Sequence, residues 1–167
     1  RTFYIGSTYG DPVPDALLTD VMGGAPVTWV NYQIWQLDRP TIGSSLAQLG
    51  LRYVGLYADY TPTQYTTGFN TIDYRGYAFK KYLAPMEMIE VVVESPSVVV
   101  HAQAVNSAGR RIPYAVQSGN FWYIADLPLS YITETDRYLV FADLLAPMLG
   151  RDQTCEPRAV ARMEDLS

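Results

Sequence analysis

The sequence predicts a mixed α/β domain: a parallel βαβα unit with a Rossmann-like or flavodoxin-like core that carries an antiparallel β-hairpin subdomain. Two observations support this fold class. Residues 1–57 alternate between strand-like and helix-like segments, and most of the chain beyond them consists of short β-rich runs separated by turn residues. Alternating strands and helices are typical of a parallel sheet, whereas closely spaced short strands are typical of antiparallel hairpins.

The amino-terminal part, residues 1–57, supplies the parallel unit. Its predicted elements are a strand over 2–6, a helix over 15–22, a strand over 27–33 and a short helix over 44–49. Gly23 and Gly24 end the first helix, because glycine commonly follows a helix carboxyl terminus. The second strand has apolar residues on both faces, as expected of a parallel strand buried between helices.

The middle part, residues 58–130, is predicted to be an antiparallel insertion. With the strand that precedes it, the predicted strands cover 52–57, 69–79, 88–94, 98–105, 111–117 and 121–125. The turn sequence Asn106–Gly109 predicts a hairpin, because Asn and Gly accept the backbone angles that tight turns require. Ser95 and Pro96 separate two valine runs and predict a second hairpin in the same way.

The carboxyl-terminal part, residues 131–167, is expected to return to the parallel sheet. Residues 136–149 predict an amphipathic helix, with Thr135 or Asp136 as its N-cap and Gly150 as its terminator. Residues 158–163 predict one more strand. The three parts are expected to form one compact domain, and the lack of a helix to cover this last strand indicates a fragment of a longer protein.

Composition excludes some classes of partner. The net charge of -5 and the pI near 4.7 argue against nucleic acid, which requires a basic patch. The doublets Lys80–Lys81 and Arg110–Arg111 are isolated and predict solvated strand ends or turns. No apolar run is long enough to span a membrane.

Few charged residues and fourteen tyrosines favour an extracytoplasmic location: periplasm, cell envelope or secreted. The oligomeric state stays open.

Catalytic constellations are incomplete in this chain. A serine or cysteine nucleophile needs a base, and the one histidine, His101, lies in an apolar strand where a packed or surface residue is the commoner finding. With Cys155 as the one cysteine, a zinc site of His and Cys ligands is excluded. Glu134 and Asp136 could bind Mg²⁺ or Ca²⁺, but helix capping explains them more simply. No cofactor is expected in this chain.

A glycine-containing loop, Gly6–Gly10, follows the first strand. It lacks the lysine of a P-loop and the third glycine of a dinucleotide fingerprint, so it does not predict nucleotide binding. It nevertheless lies at the carboxyl edge of a predicted parallel strand, where α/β proteins place their ligands.

Two clusters of aromatic residues suggest a surface that binds carbohydrate. Sugars stack their C–H faces on aromatic rings and bond their hydroxyls to amides and carboxylates. The candidate residues for such a surface are Asn31, Tyr32, Trp35, Trp122 and Asp126. The alternative is that these rings belong to the core, since large aromatic side chains dominate core packing.

The chain resembles a bacterial family of unknown function related to polysaccharide deacetylases. The segments that carry the resemblance are Phe3–Ser7, Val30–Leu37, Ile112–Val116, Asn120–Asp126, Glu134–Leu145 and Arg158–Asp165. In that family an α/β region precedes a metal-dependent barrel similar to deacetylases. The resemblance implies that this chain is the amino-terminal α/β region and ends where the barrel would begin.

The resemblance also implies roles for two acidic residues. Glu164 takes the position of the catalytic base, and Asp165 that of a ligand to zinc or another divalent metal in a longer parent protein. The family's usual pair is Asp-Asp, and its histidine ligands would lie beyond Ser167. The chain alone is therefore expected to be inactive, although its parent would be a metal-dependent carbohydrate deacetylase.

Two functions follow as expectations. The first is an accessory, non-catalytic region of a polysaccharide-deacetylase-related cell-envelope protein that binds carbohydrate. The alternative is a structural or protein-interaction module without sugar affinity, in which the valine-rich strands pair with another chain by edge addition.

Overall fold

The computed structural model describes residues 1–6, 10–57, 68–81, 88–128 and 136–151 of the chain. Within these ranges it has nine strands and two α-helices. They are β1 (Thr2–Gly6), α1 (Asp15–Met22), β2 (Val27–Asn31), β3 (Leu51–Tyr57), β4 (Phe69–Tyr74), β5 (Tyr77–Lys80), β6 (Met88–Val93), β7 (Val99–Asn106), β8 (Arg111–Ser118), β9 (Phe121–Ile124) and α2 (Asp136–Met148).

The strands form one mixed seven-stranded sheet and one two-stranded sheet. The order in the large sheet is β1-β2-β9-β8-β7-β4-β5, and β3 pairs with β6 in the small one. Strands β1, β2 and β9 are parallel, and every other pair is antiparallel. The predicted Rossmann-like βαβα core is therefore wrong: the described part of the chain is mostly β.

Two elements account for this error. The segment before Gly50 forms only a four-residue 3₁₀ helix, Leu46–Leu49, because Ser45 caps its start and Gly50 ends it at a φ of 69°. The next strand, β3, then leaves the parallel unit and pairs antiparallel with β6. The third parallel strand is instead β9, which comes from the region predicted to be an antiparallel insertion.

The turns confirm one predicted hairpin and correct another. Asn106–Gly109 connects β7 to β8, as predicted. Ser95 and Pro96 do not form a hairpin turn, because β6 belongs to the small sheet and β7 to the large one. The run predicted as one strand over 69–79 splits into β4 and β5 at Arg75–Gly76, whose φ angles of 50° and 82° suit a two-residue hairpin loop.

The large sheet is strongly curled. Strands β9 and β5 are separated by β8, β7 and β4, which in a flat sheet would hold them about 19 Å apart. Yet Nζ of Lys81, the residue after β5, lies 3.2 Å from Oδ2 of Asp126, two residues after β9. Register shifts in the β4–β7 and β7–β8 pairs supply the local bends, as β-bulges commonly do.

Helix α2 confirms the predicted carboxyl-terminal helix and is held by polar contacts at its middle and its end. Asp143 accepts a hydrogen bond from the Tyr74 hydroxyl and forms an ion pair with Arg75 at 2.9 Å. At the carboxyl end, Nη1 of Arg1 donates to the carbonyl of Met148 at 2.8 Å. A cation in this position also complements the negative end of the helix dipole.

No helix in the described ranges is long and apolar enough to cross a membrane. The predicted N-cap Thr135 and the predicted strand over 158–163 lie outside the described residues.

Replacing Gly6 with alanine should destabilise the protein. A Cβ atom at this position would lie 2.7 Å from the carbonyl carbon of Tyr32, which is backbone and cannot move aside. We expect Gly6→Ala to lower the free energy of unfolding by about 1–3 kcal/mol, measured by urea denaturation. The control is Gly10→Ala, which meets no atom within 4 Å and should leave stability nearly unchanged. Equal effects of the two changes would contradict the close approach.

Candidate functional site

The carboxyl ends of the three parallel strands meet at one edge of the sheet. Gly6 of β1 is opposite Asn31 of β2, and Val30 of β2 is opposite Ile124 of β9. This edge is where proteins with parallel sheets most often bind ligands. The polar residues that follow these strands are therefore the leading candidates for a functional site.

Asp126, which follows β9, is the centre of a buried ionic cluster. Its Oδ2 lies 3.2 Å from Nζ of Lys81 and accepts a hydrogen bond from Nη1 of Arg137 at 2.7 Å. Its Oδ1 accepts a hydrogen bond from the backbone N–H of Leu127 at 2.7 Å. The three charged residues are each at most 3% exposed. We call Lys81, Asp126 and Arg137 the buried ionic cluster.

Two opposing effects act on the pKa of Asp126. Burial by itself raises the pKa, because a carboxylate loses its hydration in the interior. The Lys81 ammonium and the Arg137 guanidinium outweigh burial and lower the pKa below its ordinary value of 3.8. Asp126 is therefore ionised at neutral pH, and its negative charge is shared between the two cations.

The cluster has the character of a structural tie. It joins the end of β5, the end of β9 and the first turn of α2. Because its members are shielded from solvent and bonded to one another, they present no reactive group at the surface. The sequence pointed to Asp126 as a sugar ligand and to Lys81 as a solvated strand end; the structure buries both and corrects the second expectation.

A second polar network lies just beyond β2. Gln33 has a left-handed backbone (φ 70°) and donates from Nε2 to the carbonyl of Asp11 at 2.7 Å, while its Oε1 accepts from the Tyr4 hydroxyl. Gln36 also donates to the Asp11 carbonyl, at 2.8 Å. Burial and, secondarily, the charge of Asp11 raise the pKa of Tyr4. These contacts hold the segment before α1 against the edge of the sheet.

The predicted sugar-binding residues divide into two groups. Asn31, Tyr32 and Trp122 are buried together with Asp126, so their side chains have almost no surface to offer a ligand. For the two rings, Tyr32 and Trp122, the core alternative is the correct one. Trp35 is only partly buried, and its ring lies 5.7 Å from that of Tyr53 at an angle of 49°. The carbohydrate prediction now depends on Trp35.

His101 occupies a bulge in β7. On β7, Val100 pairs with Val116 and Ala102 with Ala115, so His101 is the extra residue. Its ring stacks on Trp122 with centroids 4.5 Å apart, and its Nε2 lies 3.0 Å from Oε1 of Gln117. These contacts agree with the expectation of a packed strand histidine.

The residues to which the resemblance gives catalytic and metal-binding roles, Glu164 and Asp165, lie outside the described residues, as do Glu134 and Cys155. Within the described ranges, no three His, Cys, Asp or Glu side chains come together as metal ligands. The roles of Glu164 and Asp165 therefore stay predictions.

Sequence reasoning missed the partners of Asp126. Lys81 belongs to a basic doublet at a strand end, and Arg137 lies in the first turn of a predicted helix. Both places usually hold solvated charges, and neither carries a local signal of burial. A pairing across such sequence distances becomes visible only in the folded chain.

No protein-family model matches this chain, and no curated protein matches it. The resemblance to the polysaccharide-deacetylase-related family therefore stays a prediction from the sequence.

Replacing Asp126 with asparagine should strongly destabilise the protein at neutral pH. The change leaves two buried cations without their carboxylate, which costs about 3–5 kcal/mol. Because the folded-state pKa of Asp126 is lowered, the stabilisation is complete above pH 3.8 and is lost as the pH falls through the folded-state value. The stability difference between the wild type and Asp126→Asn should therefore shrink below pH 3.8 in urea titrations.

The control for this experiment is Asp15→Asn. Asp15 pairs with Arg39, but its side chain is 62% exposed, so solvent screens the pair. We expect a loss of less than about 1 kcal/mol. A similarly small loss for Asp126→Asn would show that the buried ionic cluster does not stabilise the fold.

Two tryptophan variants separate core rings from surface rings. Trp122→Ala removes a ring that is 1% exposed and should cost about 3–5 kcal/mol in urea denaturation. Trp35→Ala removes a partly buried ring and should cost clearly less. An equal cost at both positions would mean that Trp35 is as deeply packed as Trp122 and would end its candidacy as a ligand contact.

Proposed function

We propose that this chain is an accessory, non-catalytic module that binds a helical protein partner. Its parent is a larger cell-envelope protein related to polysaccharide deacetylases. The observation that supports this proposal is an apolar stripe on the outer face of α2. The resemblance supports the parentage, and the composition supports the extracytoplasmic location.

The stripe consists of side chains at helical spacing. Tyr138, Ala142, Leu145 and Leu149 follow one another at intervals of four, three and four residues, so they share one face of α2. Leu149 extends the helix by donating from its N–H to the carbonyl of Leu145 at 2.9 Å. This spacing is that of the a and d positions of a coiled-coil seam. We call these four residues the α2 stripe.

The α2 stripe is exposed although it is apolar. Tyr138, Leu145 and Leu149, together with the flanking Leu139, have exposed fractions between 37% and 50%. The opposite face of the helix packs into the core with Val140, Leu144 and Met148. An apolar face that remains exposed after the other face has packed commonly marks an interaction site.

The spacing of the stripe favours an amphipathic helix as the partner. Such a helix packs its own apolar face into a groove or seam of this kind by contacts at every third and fourth residue. The contacts of Arg1, Tyr74 and Arg75 hold α2 against the sheet, so the stripe is presented on a fixed surface. A seam of three turns gives a weak contact by itself. A covalent link between the partner helix and this chain within a longer protein would raise the effective concentration of the partner helix.

Carbohydrate binding is the second candidate function. The observation that favours it is the partly exposed ring pair of Trp35 and Tyr53. Two adjacent rings offer flat apolar surfaces to a sugar ring. A glycan array probed with the purified chain tests this candidate. Binding that Trp35→Ala removes would support it, and no signal above background would reject it.

The helical-partner proposal predicts protection of Leu145 in the native protein. Leu145→Cys, made in a Cys155→Ser background, should react with a maleimide at least tenfold more slowly in the protein as its source makes it than in this chain. A helix packed on the stripe would shield the thiol. The control is Tyr77→Cys on β5, whose native side chain is 71% exposed, and it should react equally in both. Equal rates at position 145 would overturn the proposal.

A further inference from the structure

One row of residues crosses the large sheet from β4 to β1 and shows which face of the sheet α2 covers. Its members lie opposite one another in neighbouring strands: Tyr74, Ala102, Ala115, Ile124, Val30 and Ile5. Directly opposed residues point to the same face of a sheet. The Tyr74 hydroxyl donates to Asp143 of α2, so α2 lies on the face to which Ile5 also points.

In the described part of the chain, the cover of this face stops short of β1. Val30 of β2 is 2% exposed, whereas Ile5, the next residue in the row, is 50% exposed. Phe3 precedes Ile5 by two residues, so it points to the same face, and it is only partly buried. Strand β1 therefore presents two large apolar side chains on the side of the sheet that α2 occupies.

Helix α2 runs antiparallel to β1. In its first turn, Arg137 pairs with Asp126, which follows the carboxyl end of β9. In its last turn, the carbonyl of Met148 accepts a hydrogen bond from Arg1, the residue before β1. Because β1 and β9 both run parallel to β2, the helix passes from the carboxyl ends of these strands to the amino end of β1.

The α2 stripe is on the flank of the helix that is turned toward β1. Asp143, on the other flank, contacts Tyr74 and Arg75 at the turn between β4 and β5. Successive residues of an α-helix are about 100° apart around its axis, so Leu145 lies about 160° from Asp143. Leu145 and Leu149, which are 37% and 41% exposed, therefore face the side of the sheet where Phe3 and Ile5 are uncovered.

We infer that the partner helix binds in the groove between the α2 stripe and the β1 residues Phe3 and Ile5, and that it completes the helical layer on this face. We call this the α2–β1 groove. The inference rests on the helical partner proposed above and adds where that helix lies. Neighbouring helices pack about 8–10 Å apart, which is roughly two strand spacings of about 4.8 Å. One helix beside α2 is therefore wide enough to cover the outermost strands.

The α2–β1 groove specifies the length, polarity and charge of the partner. Strand β1 is about 17 Å long and α2 about 20 Å, so the contact takes about 11–13 residues of helix. A helix that touches both α2 and the sheet needs an apolar face wider than a coiled-coil seam. Arg1 and Arg151 lie where α2 ends, so the partner carries an acidic residue at that end of the groove.

The reactivity of two introduced cysteines tests where the partner lies. Ile5→Cys and Leu139→Cys, each in the Cys155→Ser background, replace side chains that are both 50% exposed. Leu139 lies opposite the buried Met148 around the helix axis, so it points away from the groove. A maleimide should react at position 5 at least tenfold more slowly in the protein as its source makes it than in this chain. The rate at position 139 should be nearly the same in both.

The outcomes separate this inference from the proposal on which it rests. Protection of positions 5 and 145 with position 139 reactive supports the α2–β1 groove. Protection of position 145 with position 5 reactive keeps the helical partner and overturns its place in the groove. Reactivity at both overturns both proposals. Protection of all three positions, or a slow reaction at position 5 in this chain by itself, overturns the groove, because another surface or the chain's own residues then cover β1.

Charge reversal gives a second measurement that leaves β1 unchanged. Arg151→Glu, combined with Leu145→Cys, should raise the maleimide rate at position 145 in the protein as its source makes it by at least threefold at low salt. The effect should shrink at high salt, because the opposing charges are at the surface. The matched control is Arg52→Glu on β3 of the small sheet, which should leave this rate unchanged. Equal effects of the two reversals would overturn the acidic end of the partner.

Discussion

The buried ionic cluster determines how the sheet closes. A carboxylate in the interior is tolerated only when cations compensate its lost hydration, and Lys81 and Arg137 do so for Asp126. Lys81 follows β5, Asp126 follows β9 and Arg137 lies in α2, so the three residues are far apart along the chain. The distance between Lys81 and Asp126 can be met only if the five strands from β9 to β5 curl, so the shape of this part of the sheet and the position of α2 both depend on the cluster.

The bonding among buried polar side chains also limits which residues remain for a function. The buried polar side chains around the carboxyl edge bond to one another or to backbone groups, as those of Gln33 and Asp126 do. Such groups stabilise the fold and are not available to a substrate. The surface features that invite a ligand are apolar: the α2 stripe and the Trp35–Tyr53 ring pair. These features favour recognition over chemistry.

Local sequence patterns predicted most of the strands and the long helix, because each depends on neighbouring residues. The Asn106–Gly109 turn and the Gly150 terminator are both local signals. The valine runs of β6 and β7 were predicted to pair with each other and, as an alternative, with another chain. The structure contradicts both for β7, which lies between β4 and β8 and has no free edge. Long-range packing decides which strands pair, and a short stretch of sequence does not show that packing.

The sequence by itself determined where most of the strands and α2 form, since φ preferences and hydrophobic periodicity act within a few residues. Only the tertiary structure decided that β9 completes the parallel strands, that Trp122 is a core ring and that Lys81 is buried. The physical reason is that burial and ion pairing are properties of the packed sheet. A lysine at a strand end has the same local sequence whether it faces water or a carboxylate 45 residues later in the chain.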